Sequence, residues 1–235
     1  MDQSCRSFIG GLEARGEVVD VPGVVRLDYE LGTIVGLWDD GPVGRIAQTD
    51  RGDFPVFANV LNSRARIAAA VGCAVPELSR RIAEAVAART TPVAVDVAPC
   101  QEVVVTADDD PELLARLPLP LFFEKDSGPY LTAGMICAHE PTSGFRNASY
   151  ARVKPLGGNR AFVGIAPNHH LMSLARLAAA EGRALDIAIV LGAHPAIQLA
   201  ACFYLDLGVD ELEHAAELLG EPVRVVRGVT VDVAV

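Results

Sequence analysis

The residues of this chain that are best suited to metal or anion chemistry lie in its second half. His169 and His170 stand just before a helical pattern of apolar residues, and Glu211 lies in the first turn of another predicted helix. The first turn of a helix offers unpaired N–H groups and the positive end of the helix dipole, which suit a phosphate or a carboxylate-bound metal. Asn147 and Arg152 lie in a strand-like run. By themselves these residues leave two interpretations open: a ligand site, or ordinary surface side chains and an acid that complements the dipole.

Two helices and several strands would have to position these side chains. Apolar spacing predicts helices over residues 168–182 and 210–219. Asp210 followed by Glu213 resembles a capping box, and Gly220 is a good C-cap. Alternating patterns separated by turn residues predict strands over residues 130–138, 147–154, 160–166 and 185–191. In a regular strand Asn147 and Arg152 would face opposite sides, so a bulge or an edge position is needed for both to reach one ligand.

The first part of the chain has an α/β pattern. Apolar periodicity predicts helices over residues 4–15, 63–71 and 76–89, and strands over residues 55–61 and 102–106. The acidic stretch of residues 108–111 is the best boundary between domains. We therefore expect an N-terminal α/β domain over residues 1–107 and a second, strand-rich domain over residues 108–235.

Composition restricts the class of protein. With 51% apolar residues among 235, the chain can bury a full core. A net charge of −10 argues against a nucleic-acid or anionic-membrane surface, and no long uncharged apolar run predicts a transmembrane helix. Five dispersed cysteines without a CxxC pair, and an N-terminus unlike a signal peptide, favour the cytoplasm. The common nucleotide-binding, zinc-protease and serine-hydrolase motifs do not occur.

An ordered series of segments is similar to the UbiD family of decarboxylases. The segments are FIGGLEARGE at residues 8–17, PVFANVLNSR at 55–64, APCQEVV at 98–104, LPLP at 117–120, DSGPYLTAG at 126–134, RNASYAR at 146–152, PNH at 167–169 and GVDE at 208–211. They follow the family's order and cover essentially the whole chain. The resemblance implies an α/β (α+β) fold, in which the N-terminal α/β domain precedes a split-β-barrel flavin-binding domain.

The same resemblance implies a cofactor and its ligands. The family uses prenylated FMN with a divalent metal, Mn²⁺ or Mg²⁺, and often K⁺. Asn147, His169 and Glu211 correspond to the metal ligands, and Arg152 corresponds to the active-site arginine, which is both catalytic and cofactor-binding. The other expected cofactor-binding residues are Ser149, Tyr150, Ala151 and Asn168. An amide oxygen, an imidazole and a carboxylate form a donor set that suits such a cation.

Two departures qualify the resemblance. The family's small-polar, Met or Phe, then Pro run is replaced here by residues 201–204, ACFY, which puts the potassium site in doubt. The family's two catalytic glutamates, and a further C-terminal domain, are expected beyond residue 235. The alternating residues 229–235 predict a strand with an unpaired edge, completed by a missing segment or another chain, although an ordinary terminal strand is the alternative.

The expected function is therefore that of a UbiD-like decarboxylase subunit or fragment acting on an aromatic or α,β-unsaturated carboxylic acid. The catalytic glutamates would come from a missing segment or a partner chain, so the isolated chain is expected to be inactive. The expected partners are the acid substrate, a second polypeptide or a copy of the chain, and a flavin prenyltransferase as the source of the cofactor. A non-catalytic flavin-binding or accessory protein is the alternative.

Overall fold

A computed structural model describes residues 3–235 as a mixed α/β structure. The helices in this range are α1 (Cys5–Ala14), α2 (Glu30–Leu37), α3 (Arg64–Ala70), α4 (Leu78–Ala87), α5 (His170–Ala180), α6 (Pro195–Ala200) and α7 (Glu211–Leu219). The strands are β1 (Val18–Val25), β2 (Val43–Thr49), β3 (Val56–Ala58), β4 (Val93–Ala94), β5 (Met135–His139), β6 (Arg146–Tyr150), β7 (Arg152–Gly157), β8 (Arg160–Gly164), β9 (Ile187–Val190) and β10 (Arg224–Val225). This architecture confirms the predicted mixed fold class.

The predicted helices are confirmed, with ends that differ by one or two residues. The Ser63 hydroxyl caps α3 by accepting the Arg66 N–H at 3.2 Å. Asp210 caps α7, and Gly220 ends it with a φ of 77°, the left-handed conformation that glycine adopts without strain. The sequence patterns did not predict β1, β2, β4, β10, α2 or α6.

The first sheet has the order β1–β2–β3. Strands β1 and β2 pair in parallel, and β2 pairs with β3 in antiparallel fashion. The side chains of Val25, Leu27, Leu31 and Ile46 form its buried core, partly covered by α2. This sheet is separate from the one that carries the predicted ligand residues.

Strand β5 is the centre of the second sheet, whose order is β6–β5–β9. It is buried on both faces: Ile136 packs in one cluster with Leu174 of α5, and Met135 packs in another with Leu212 of α7. A strand covered on both sides reads as a continuous apolar run, as residues 135–138 do. The neighbouring strand β6 thus lies beside the first turns of two helices.

The predicted strand 147–154 is two strands. Strand β6 ends at Tyr150 and pairs with β5, whereas β7 begins at Arg152 and pairs with β8 in a separate hairpin. The chain changes sheet at Ala151. Asn147 and Arg152 therefore do not share one regular strand, and the expectation that they face opposite sides of it does not apply.

Two other predicted strands need correction. Residues 102–106 form no strand; a 3₁₀ turn at Pro99–Gln101 precedes them, and Thr106 is held by the Asp109 carboxylate at 2.8 Å. No neighbouring strand offers this β-branched run a partner, and Val103 is exposed. The predicted strand over residues 130–138 begins only at Met135.

The prediction of an unpaired strand edge at residues 229–235 was wrong. Val235 exchanges backbone hydrogen bonds of 2.8 and 2.9 Å with Val226, and the Gly228 N–H donates to the Val233 carbonyl. On the other side, the Ala234 N–H donates to His139 Nε2 at 3.2 Å. The segment folds back on its own chain, and Val233 is fully buried. The alternation of apolar and polar residues over 229–235 had suggested a strand with one apolar face. The backbone bends at residues 229–232, so no continuous strand forms there.

Strand β10 also pairs in parallel with β4, which joins residues on both sides of the predicted boundary at 107/108. That boundary stays a prediction. Within residues 3–235 every sheet has two or three strands, and none closes into a barrel. No helix in the same range is long and apolar enough to cross a membrane.

We expect Gly228→Ala to weaken the C-terminal turn. A Cβ at this position would lie 2.9 Å from the Val231 carbonyl oxygen, too close to be accommodated without a shift. Overpacking of this kind costs about 1–3 kcal/mol in the free energy of unfolding, measured by urea denaturation. Gly10→Ala in α1 is the control, because a Cβ there meets nothing within 4 Å. Equal unfolding free energies for the two variants would contradict the close approach at Gly228.

Candidate active site

The Glu211 carboxylate is buried, with an exposed fraction of 2%. It accepts hydrogen bonds from the Ala148 N–H at 2.8 Å and from Asn147 Nδ2 at 3.0 Å. Burial raises its pKa to about 7, and the Ala148 hydrogen bond only partly opposes that shift. A cation bound beside this carboxyl group would favour its ionised form and lower its pKa, and the proton would be released to solvent.

Helix α7 brings Glu211 to β6 through a local network of its own. Asp210 accepts the Leu212 N–H at 2.9 Å as the N-cap. The other Asp210 oxygen pairs with Arg146 Nε at 2.6 Å, so this ion pair ties the start of β6 to the start of α7. The partly buried pair therefore determines which helix end faces the strand.

Asn147 and Ser149 lie on the same face of β6, two residues apart. Asn147 is buried, and its Oδ1 accepts a hydrogen bond from Ser149 Oγ at 3.1 Å. Its amide nitrogen faces Glu211, so both ends of the amide are engaged. The amide oxygen keeps one further lone pair for a cation.

His169 is the N-cap of α5. Its Nδ1 accepts the Leu171 N–H at 3.2 Å, which leaves Nε2 as the nitrogen for other contacts. Burial lowers the pKa of the ring, and a hydrogen bond with the Tyr150 backbone opposes that shift. His169 thus favours the neutral imidazole that a metal ligand requires.

These side chains line one cleft of about 220 Å³, which we call the Glu211 cleft. Its lining residues are Asn147, Ser149, Tyr150, Asn168, His169, His170, Ala201, Cys202, Phe203, Tyr204, Leu205 and Glu211. Six of the eight predicted site residues belong to this set.

Ala151 and Arg152 are the two predicted site residues outside this set. Arg152 is exposed at the first position of β7, beyond the point where the chain changes sheet. The structure therefore brings the predicted metal ligands together but does not place the predicted catalytic arginine beside them.

The loop of residues 201–205 supplies much of the cleft wall, and its first four residues stand where the family has its potassium site. Tyr204 is 90% exposed at the mouth, and its ring stacks near His170 at 6.4 Å between centroids. The loop runs between α6 and the Asp210 cap, so it has to pass the first turn of α7. The Asp210 cap was the only part of this arrangement that the sequence indicated.

The predicted ligands in the cleft are one amide, one imidazole and one carboxylate, from Asn147, His169 and Glu211. Within residues 3–235 no three His, Cys, Asp or Glu side chains cluster as a metal site. The predicted set in the Glu211 cleft differs from such a cluster, because it would use the Asn147 amide in place of a third such side chain. A mixed set of this kind, rich in oxygen donors, suits Mg²⁺ or Mn²⁺. Structural zinc, in contrast, is usually bound by thiolates.

The chain matches two models of one protein family. Residues 9–86 match the 3-octaprenyl-4-hydroxybenzoate carboxy-lyase N-terminal domain, UbiD_N, and residues 92–235 match the Rift-related domain of the same carboxy-lyase, UbiD. The chain belongs to the UbiD family. The comparison confirms the resemblance inferred from the motif series.

Relatives of this UbiD-family chain include decarboxylases. Anhydromevalonate phosphate decarboxylase of Methanothermobacter thermautotrophicus is 34% identical over 183 residues, which cover 78% of this chain and 42% of the relative. The enzyme of the same name from Methanosarcina mazei is 32% identical and covers 94% of this chain and 49% of its own length. The chain spans about half the length of these relatives.

A solved structure shows the same fold in a cofactor complex. An evolved dimeric form of the UbiD-class enzyme HmfF from Pelotomaculum thermopropionicum, in complex with prFMN, matches with a TM-score of 0.94 and 33% identity. The match covers 100% of this chain and 55% of that chain. The present chain thus has the fold of about half of a flavin-dependent enzyme.

We expect Glu211→Gln to stabilise the metal-free protein at alkaline pH. Because the pKa of Glu211 is raised from its ordinary value of 4.5 to about 7, the native state binds a proton that the unfolded state has released. The free energy of unfolding therefore falls as pH rises from 4.5 to about 7. The total loss is at most about 3 kcal/mol, and it is complete above that range. Urea denaturation in EDTA at pH 5 and pH 8 measures this difference.

The Glu211→Gln variant also tests whether Glu211 binds a divalent cation. Adding Mn²⁺ at pH 8 should raise the free energy of unfolding of the wild type but not that of Glu211→Gln, because the glutamine amide has no negative charge to offer the cation. Identical pH dependence of the two proteins in EDTA would show that Glu211 is not the group that titrates.

Proposed function

We propose that this chain is the cofactor-holding half of a UbiD-type decarboxylase that acts on an aromatic or α,β-unsaturated carboxylic acid. The observation that carries the proposal is the meeting of Asn147, His169 and Glu211 in one cleft, from three separate elements. The relatives that are decarboxylases and the related enzyme in complex with prFMN support it.

A divalent cation, Mn²⁺ or Mg²⁺, would be held by the Asn147 amide oxygen, the His169 imidazole and the Glu211 carboxylate. The fit rests on the chemistry of these groups. Glu211 is buried with no cationic partner among its hydrogen-bond donors, and a divalent ion would neutralise its charge. The cation would also attract the phosphate of a flavin, which the start of α5 can support with its dipole.

Prenylated FMN would supply the electron sink that allows a carboxyl group to leave as CO₂. Ser149, Tyr150 and Ala151 would line the flavin mainly through their backbone, with Asn168 beside them. In the family's potassium region, Cys202 and Phe203 offer a thiol and a phenyl ring in place of hydroxyl groups, so a K⁺ ion would depend on backbone oxygens there.

The protein's own part in the reaction is divided between two halves in this proposal. Arg152 would pair with the substrate carboxylate, as a planar guanidinium does well. The proton donor and the carboxylate that pairs with Arg152 would be glutamates of the second half, on the same or another polypeptide. This half binds and orients the cofactor, and the other half supplies the proton.

A second candidate is a non-catalytic protein that holds or delivers the flavin. The exposure of Arg152, outside the Glu211 cleft, favours this alternative. Recovery of turnover when the second half is supplied would exclude it.

Flavin binding should depend on the metal. We expect FMN or prenylated FMN to bind the chain in Mn²⁺ and to bind at least about tenfold more weakly in EDTA, a difference of about 1.4 kcal/mol. Fluorescence titration measures both affinities. Equal affinity in the two buffers would contradict a metal bridge.

His169→Asn tests the ligand, with His194→Asn as the matched control. Both histidines are N-caps whose Nδ1 accepts a backbone N–H at 3.2 Å, from Leu171 and Ala196 respectively. Asparagine also caps helices well, so both variants should fold. Only His169→Asn should lose the metal-dependent part of flavin affinity.

The isolated chain loaded with prenylated FMN and Mn²⁺ should not decarboxylate cinnamate-like acids. A missing general acid typically reduces the rate by about 10²–10⁴-fold. Loss of substrate absorbance, measured against a cofactor-free control, tests this. Turnover that disappears in Glu124→Gln or Asp126→Asn would show that the acid lies in this chain.

A further inference from the structure

The hairpin of β7 and β8 has one buried face and one exposed face. Val153 of β7 is buried, and Val163 of β8 packs against the same core cluster. The residues that alternate with these two point away from that core, because successive side chains of a strand face opposite sides. We call this exposed face the hairpin platform, and its residues are Arg152, Lys154, Phe162 and Gly164. None of the four lines the Glu211 cleft.

The Lys154 ammonium is held in place by the segment that precedes β5. Its Nζ donates to the Ser127 carbonyl oxygen at 2.5 Å and to Ser127 Oγ at 3.1 Å. It also lies 5.9 Å from the centre of the Tyr130 ring, whose hydroxyl is 2.6 Å from Ser127 Oγ. Two backbone hydrogen bonds between Leu131 and Val153 attach this segment to β7. These contacts fix the position of the ammonium before a ligand binds.

The charge of Lys154 is not neutralised by these contacts. Its partners are a carbonyl, a hydroxyl and a phenol ring, and an ammonium has three N–H donors, so one donor stays available. Within residues 3–235 no carboxylate forms an ion pair with Lys154 or Arg152, whereas Arg116 and Arg146 do have acidic partners. In a chain with 30 acidic and 20 basic side chains, two neighbouring cations without an acidic partner favour an anionic ligand.

The spacing and the neighbours of the two cations define the shape of that ligand. Residues two apart on one face of a strand are separated by about 7 Å. Arg152 is paired across the hairpin with Gly164, where an added Cβ would meet only the Arg152 carbonyl oxygen at 3.7 Å, so the space beside the guanidinium is open. Lys154 is paired with Phe162, which is 61% exposed. A flat, apolar molecule with an anionic group at each end fits this surface.

We propose that Lys154 determines substrate specificity by selecting acids that carry a second anionic group, about 7 Å from the carboxylate that Arg152 binds. This inference rests on the proposed function, in which Arg152 pairs with the substrate carboxylate, and it adds the substrate class. The class is an aromatic or α,β-unsaturated acid with a second carboxylate or a phosphate at the far end. Phe162 would pack against the planar part between the two charges.

The experiment compares three aromatic acids on the 235-residue chain, without flavin, in EDTA and at low ionic strength. Benzoate has one carboxylate, terephthalate has two at opposite ends of the ring, and phthalate has two on adjacent carbons. NMR titration of the backbone amides gives a Kd for each acid and shows which amides shift. We expect terephthalate to bind at least about fivefold more tightly than benzoate or phthalate, because only its spacing allows a charge-assisted hydrogen bond at each end. The shifts should lie in β7, β8 and residues 126–131.

Variants of the platform test the role of the lysine. Lys154→Met should lower the terephthalate affinity to that of benzoate and leave benzoate binding unchanged, whereas Lys154→Arg should keep the preference because it keeps the charge. Gly164→Val should weaken all three acids, since a β-branched side chain suits a strand and would fill the open space. The amide spectrum shows whether each variant is folded.

Arg160→Met is the matched control for net charge. It removes one positive charge from the same hairpin, beyond the irregular pairing at residues 155–157, so it should change the terephthalate preference by less than about twofold. Equal affinities for benzoate and terephthalate, or no shifts with terephthalate, would overturn the proposal. A preference that survives Lys154→Met, or that disappears in Arg160→Met, would overturn it too.

Two further arms complete the test. If 4-phosphonobenzoate binds more tightly than terephthalate and this gain is lost in Lys154→Met, the second group is phosphate-like. Shifts confined to the Glu211 cleft would place the acids there and contradict a site on the platform. Glu211→Gln should abolish metal-dependent flavin binding without altering the terephthalate preference, so failure of the cofactor proposal can be told apart from failure of this one.

Discussion

The buried Glu211 carboxylate sets the conditions that the strand and helices around it have to meet. A carboxylate in a nearly dry environment needs donors, and this one receives them from the Ala148 backbone and the Asn147 amide. Both donors lie on β6, so the first turn of α7 has to face that strand. The Arg146–Asp210 ion pair holds the two elements together one residue further out on each. Two hydrogen bonds are insufficient to keep the pKa of the carboxyl in its ordinary range, and it is raised to about 7.

The position of β5 explains why the ligands converge. Because the strand is covered on both faces, α5 packs against one side and α7 against the other. The neighbouring strand β6 then runs past the first turns of both helices, which bring His169 and Glu211 to Asn147. The chain leaves this sheet at Ala151, so Arg152 continues into the β7–β8 hairpin and lies outside the cleft. The site is thus a meeting point of three elements, and its boundary is the change of sheet.

The two clefts give the molecule two different surfaces. The Glu211 cleft contains the polar groups and faces a helix start, as expected for an anionic cofactor with a cation. A second cleft, of about 480 Å³, is lined mostly by apolar side chains, among them Met135, Leu191 and Val225. The C-terminal segment lies at the second surface, held by Val226 on one edge and by His139 on the other.

Local signals in the sequence predicted five of the seven α-helices of residues 3–235, and the resemblance to the UbiD family supplied the predicted ligands. Asp210 and Gly220 specify the ends of α7 by short-range hydrogen bonding and backbone conformation, so these ends were predictable from neighbouring residues alone. The ordered motif series was sufficient to indicate the family, and six of eight expected site residues line one cleft. Pairing between distant segments was not predictable in this way. Residues 102–106 have strand-like side chains but no partner strand, and residues 229–235 alternate but turn back on Val226. The tertiary structure decided these cases, and the place of Arg152, because a strand requires a neighbour that only the folded chain can supply.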